Sequence, residues 1–247
     1  MGLLIVNADD WGLAPQHTNA IAACFQARRI SSATGMVHMR DSERAATIAR
    51  AENLPIGLHL NFAEAFDAPD VTPEVRERQR LVVDSFSRGP WHRWGFNHRL
   101  FGTVSDAIRD QIQEFVRIYH GFPTHVDGHQ HLHQNLTVLS SRAFPAQTKM
   151  RATFTFAPGE KSVSNRVARA VVNRLMRSRF RGPRYFVSIR ALYPALGGAG
   201  LAKLDLLRRG SLEVMTHPGW ADEFDVLMSD DWQRILQTRA IGSYRNI

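Results

Sequence analysis

Short apolar runs alternate along this chain with longer segments whose apolar positions recur every three to four residues. LLIVN (3–7), TGMVH (34–38), IGLHLN (56–61), THVD (124–127), ATFTF (152–156), YFVSI (185–189) and LEVMT (212–216) have the length and β-branched content of strands. Helical periodicity fills about 16–29, 42–51, 105–119, 162–178, 200–209 and 229–239, with ends uncertain by roughly 2–4 residues. Strand and helix in alternation demand crossover connections, and hence a parallel sheet. The pattern predicts an α/β fold, either an open sheet or a (β/α) barrel, complete or incomplete.

One stretch breaks the rhythm. Residues 62–102 carry the charged run EVRERQR, which predicts a short helix, and then the aromatic and basic PWHRWGFNHR. An insertion after IGLHLN would stand at the C-terminal end of its strand, where parallel α/β folds gather their ligand sites, so it is expected to act as a lid. No repeat, Pro/Gly linker or low-complexity tract marks a boundary, and a single domain over 1–247 is expected.

Composition narrows the classes. With 247 residues, 44% of them hydrophobic, the chain can bury a sizeable core. Cys24 is the only cysteine, which excludes an internal disulfide framework and a Cys-rich metal site. The start MGLLIVNADDW lacks the basic and apolar regions of an export signal, and no apolar run reaches ~18 residues, so a soluble cytoplasmic protein is expected. Lys and Arg total 31 against 23 Asp and Glu, a net charge of +8, and the excess is uneven. Lys161 to Arg190 holds nine basic residues and no acidic one, with Val163, Val167, Ala170, Val171 and Leu175 at helical spacing. Such a face suits an anionic membrane surface or nucleic-acid phosphate, or is simply solvated.

Polar chemistry clusters at the ends of the predicted strands. Asp9 and Asp10 follow LLIVN, and His59 lies late in IGLHLN. THVDGHQHLH gathers four of the eleven histidines, and His217 precedes Pro218 and Gly219. An aspartate after a strand commonly caps the next helix, and His59 between two leucines, like His217, reads by itself more readily as a core residue than as a ligand. Four imidazoles in ten residues go beyond what a polar loop needs and point to metal binding or catalysis. Two imidazoles and a carboxylate bind a divalent ion while leaving positions for water and substrate, and a second carboxylate and a further histidine then serve as base and acid. The same ligand set serves non-haem Fe(II) oxygenases, which give no role to a second aspartate. A nucleic-acid-binding protein would use the basic tract but leave the histidines unexplained; no specific nucleic-acid partner is expected.

NADDWGL (7–13), GLHLN (57–61), THVDGHQHLH (124–133) and EVMTHPG (213–219) together resemble, in order, the four signatures of the YdjC-like carbohydrate deacetylase family. The resemblance implies a distorted (β/α) barrel of mostly parallel strands, related in architecture to polysaccharide deacetylases, and removal of acetyl groups from N-acetylated sugars, whether oligosaccharides or lipid-linked amino sugars. It implies that Asp10, His59 and His129 bind a divalent metal, Mg or Zn foremost and Mn or Co as alternatives, that Asp9 is the general base, and that His217 is the general acid or oxyanion partner. Trp11, Asp127, His131, His133 and Arg151 are expected to contact substrate. A homodimer and a peripheral contact with anionic membrane are further expectations. After GLHLN the chain reads FAEAFDAP, a departure from the family pattern that alters the substrate-facing loop.

Overall fold

A computed structural model of the chain describes residues 2–157, 159–193 and 200–247. Its elements are β1 (Leu4–Trp11), α1 (Pro15–Gln26), β2 (Ser32–Gly35), α2 (Ser42–Ala51), β3 (Ile56–Leu60), α3 (Pro73–Phe86), α4 (Pro90–Trp94), α5 (Phe101–Tyr119), β4 (Val126–Gly128), α6 (Leu136–Ser140), α7 (Val163–Arg177), β5 (Tyr185–Ser188), β6 (Leu212–Thr216), α8 (Ala221–Met228) and α9 (Asp230–Gln237). The described strands form a six-stranded sheet of order β4-β3-β2-β1-β6-β5, parallel in the pairs β1–β6, β3–β4 and β5–β6. The α/β reading and its parallel strands therefore hold.

The chain divides into two compact units: Met1–Asp9, Asn19–Ala33 and Lys149–Ile247 make one, and Asp10–Thr18 with Thr34–Thr148 make the other. In the first, Leu4 to Ala8 of β1 face Leu212 to Thr216 of β6 in register. All eight residues of β1 are buried, so its polar members Asn7, Asp9 and Asp10 need internal partners. In the second unit Leu58, His59 and Leu60 of β3 align with Val126, Asp127 and Gly128 of β4. Gly57 is required there, because a Cβ at that position would meet the His125 ring at 2.4 Å.

Local chemistry sets the helix ends. Thr72 caps α3 by accepting from Val75 N, with Pro73 in the first turn. α5 buries Val104, Ala107, Ile108, Ile112, Phe115 and Ile118 along one side and ends where His120 turns left-handed (φ 56°). Within 62–102 the chain is irregular over 62–72 and largely helical from Pro73 on, with α3 extending well beyond the predicted EVRERQR.

Several expectations change. ATFTF is not a named strand. Thr153 N donates to the side chain of Asn173 on α7, which diverts a ladder donor, and only Thr155 N reaches a strand carbonyl, that of Phe186. β2 starts two residues before TGMVH, 201–208 is 3-10 rather than α-helix, and α8 was not foreseen.

Candidate functional site

In the second unit the end of β1, the end of β3 and the turn after β4 bring Asp10, His59 and His129 together. Their ligand atoms lie within 4.8 Å of one another. Asp10 Oδ1 stands 3.3 Å from His59 Nε2 and 3.1 Å from His129 Nδ1. Donors bound at about 2.0–2.1 Å to a common ion are roughly 3.0–3.4 Å apart, so the spacing matches a coordination edge.

The donors are also held for that task. In-register pairing of His59 with Asp127 sets His59 Nδ1 2.7 Å from Asp127 Oδ1, while Thr34 Oγ1 donates to Asp127 Oδ2 at 3.0 Å. A neutral imidazole has one N–H, and the shorter contact takes it. Nε2 then turns a lone pair toward Asp10 Oδ1, an opposition that a cation relieves. A carboxylate behind a histidine is the usual outer support of a metal ligand, fixing tautomer and ring direction. His59 is 2% exposed, whereas His129 is 16% exposed and marks the solvent side. Asp10 (φ 71°), Gln130 (φ 52°) and His131 (φ 61°) all occupy the left-handed region, a concentration of backbone strain at the donor set.

In the first unit Asp9 turns to a different set of partners. Arg151 donates to it twice, NH1 to Oδ2 at 2.7 Å and NH2 to Oδ1 at 2.6 Å, and Asn7 Nδ2 donates to Oδ1 at 3.0 Å. Arg151 Nε donates to Glu213 Oε1 at 2.8 Å, and Tyr244 donates its hydroxyl to Glu213 Oε2 at 2.5 Å. Two carboxylates around a fully buried guanidinium, which also lies 4.9 Å from the Phe186 ring centre, form a buried, hydrogen-bonded network.

His217 follows β6 as Asp9 follows Ala8 in the aligned β1, and its Nε2 lies 4.0 Å from Asp9 Oδ2. Its backbone N–H donates to Glu223 Oε2 at 2.6 Å, and Nδ1 stands 3.7 Å from the same oxygen. The His217 ring stacks on Trp220 at 4.5 Å, Arg190 lies 5.0 Å from the Trp220 centroid, and Arg190 Nε donates to Glu223 Oε1 at 2.7 Å.

Asp127 and Arg151, expected at substrate, are buried and engaged with His59 and with Asp9 and Glu213. Trp11 is also fully buried, and His133 is buried in the turn after β4. His131, part-exposed, packs edge-on to His133 at 6.3 Å between ring centroids. Sequence reasoning missed Glu64, whose Oε1 stands 3.1 Å from His129 Nε2, and the partners Thr34, Glu213 and Glu223. Glu64 lies in FAEAFDAP, so the departure from pattern was itself the signal. The buried glutamate in LEVMT, an acid inside an apolar strand, was another.

Comparison with known proteins bears on this geometry. The YdjC-like protein family model matches residues 3–238. The chain is 32% identical over 136 residues to a carbohydrate deacetylase of Danio rerio, covering 53% of this chain and 42% of that protein. It is 28% identical over 247 residues to a carbohydrate deacetylase of Mus musculus, covering 88% and 78%. Against a chitooligosaccharide deacetylase of Serratia marcescens identity is 30% over 132 residues, covering 53% and 50%. The alignments thus span half or less of the zebrafish and Serratia relatives. A solved structure from Enterococcus faecalis V583, described provisionally as a cellobiose-phosphate cleavage protein, shares the fold with a TM-score of 0.71 at 19% identity, covering 99% of this chain and 98% of that one.

Proposed function

The chain belongs to the YdjC-like protein family, and from that premise we propose that it is a metal-dependent hydrolase removing the acetyl group from an N-acetylated sugar. The observation that carries the reading is the donor set Asp10, His59 and His129, with His59 braced by Asp127. Similar proteins called carbohydrate and chitooligosaccharide deacetylases support the substrate class.

Asp10, His59 and His129 would hold the ion, and all three fit it by donor type and spacing. A divalent cation there supplies a Lewis acid for the acetyl carbonyl and lowers the pKa of water. Asp9 accepts the proton from the attacking water. Its partner Arg151 fixes both carboxylate oxygens in direction, so Arg151 and Asp127 act as positioning residues rather than substrate contacts. His217, held by Glu223 and Trp220, gives a proton to the amide nitrogen as the C–N bond breaks, releasing acetate and the free amine. The peptide bond between Asp9 and Asp10 supports this division of labour: neighbouring side chains at a strand end point differently, one to the metal ligands and one to the base's network. Sugar contacts fall to His131 and the 62–102 segment, acting as a lid.

Incubating the protein with N-acetylated mono- and oligosaccharides, with and without added divalent metals, and measuring acetate and free amine tests the proposal. Equimolar metal-dependent release supports it, and no release from any acetylated sugar at full metal occupancy contradicts it.

A further inference from the structure

We propose that α7 is a docking helix that lays an apolar face on an anionic lipid surface. The helix is amphipathic in the reverse of the usual sense. Val163, Val167, Val171 and Leu175, each four residues apart, are 73%, 56%, 54% and 51% exposed, and Met176 alone of the helix residues is buried. Toward the protein the helix presents polar groups: Asn173 Oδ1 accepts from Thr153 N, and the Arg169 guanidinium lies 5.0 Å from the Phe156 ring centre with its Nε donating to Asn165 at 2.9 Å. A helix stabilised only by its own domain turns its valines inward. Here they face out.

Charge selects the occupant. Arg174 and Arg177 are exposed on the same helix beside Arg166, Lys161 precedes it, and Arg179 and Arg181 follow. Among the described residues no carboxylate forms an ion pair with Arg166, Arg174 or Arg177, and no acidic residue occurs from Lys161 to Arg190. A second copy of the chain docking by this face would set arginines against arginines. Nucleic acid would engage the arginines but leave the valines in water. An anionic bilayer accepts both, the apolar stripe at the acyl boundary and the guanidinium groups at the lipid phosphates. No described helix is long and apolar enough to cross a membrane, so the attachment is interfacial.

Flotation of the full chain with vesicles of phosphatidylcholine alone, or mixed with phosphatidylglycerol, tests this directly. At low salt the protein should partition onto the phosphatidylglycerol vesicles roughly tenfold or more over the neutral ones. Val167→Ser with Val171→Ser should lower that partition roughly tenfold, and Arg174→Gln with Arg177→Gln should do the same while flattening its salt dependence. Circular dichroism of each variant, and unchanged hydrolysis of a water-soluble acetylated sugar, separate a lost surface from a lost fold. Equal partition onto both vesicle types, or valine variants that bind as the parent does, would overturn the proposal. So would absence of lipid binding together with self-association that Val167→Ser abolishes, which would assign the face to a second copy. Flotation does not depend on turnover, so its failure would leave the deacetylase reading untouched.

Discussion

Asp127 has no surface of its own, and its two oxygens are committed to His59 and Thr34. Asp127→Asn should therefore act through His59, weakening metal affinity by about 10–100-fold while excess metal restores turnover. Equilibrium dialysis against a divalent metal reads the first effect, and unaltered affinity would show that His59 needs no brace. Asp9→Asn should retain metal and lose turnover by ~10²–10⁴, since the amide keeps the shape but accepts no proton from water. A variant that lost the metal and kept turnover would mean that Asp9 and Asp10 have exchanged roles. Arg151 carries a structural consequence as well. Arg151→Ala strands Asp9 and Glu213 as buried, unpaired carboxylates and should cost ~3–5 kcal/mol in urea denaturation, whereas an effect below about 1 kcal/mol would mean that the network is solvated. Cys24, buried with its thiol pushed up to about 12, should resist alkylation by iodoacetamide at neutral pH until the chain is unfolded.

Elements explain why some of this was legible and some was not. β1, β3, β5 and β6 stood out because parallel strands buried on both faces read as short apolar runs. α2 and α5 followed from their periodicity and terminal residues. ATFTF failed because its alternation matches a strand, yet Asn173, twenty residues on, takes the Thr153 amide. The turn after β4 was unreadable because nothing local predicts consecutive left-handed Gln130 and His131. Its support is legible only in three dimensions: Arg93 on α4 donates to the Gln130 carbonyl and side chain, and Asn135 caps α6 while donating to the His92 and Arg93 carbonyls. Asn135→Ala should cost about 1–2 kcal/mol in stability through the lost cap, and should weaken metal binding at His129 as the turn loosens. His38, in the β2–α2 connection, titrates below the usual histidine value of 6.5, chiefly because burial disfavours its charge. The unfolded chain then takes up a proton that the folded one refuses, so this contribution is full above pH 6.5 and falls as pH drops toward the lowered value. His38→Gln should flatten that part of the stability–pH curve, and an unchanged slope would assign the loss to other groups.

At the scale of the whole molecule, the sequence already held the four motifs, and their candidate residues stood out because each sits where a strand gives way to a loop. The supporting residues were harder to read: Thr34 and Glu213 are distant in sequence from Asp127 and Arg151, and Glu64 and Glu223, though close to the motifs, meet their partners only in the folded chain. The candidate metal donors Asp10, His59 and His129 belong to one compact unit, and the network of Asp9, Arg151 and Glu213 to the other. At the centre of the proposed function stands the assignment of Asp10, His59 and His129 to one catalytic divalent ion. Its most direct test is to strip the protein with a chelator, titrate metal back, and follow bound metal and acetate release together in the parent, His59→Ala and His129→Ala chains. One metal per chain, with release rising in step in the parent and both lost in the two variants, is the predicted result; either variant retaining full occupancy and turnover would contradict it.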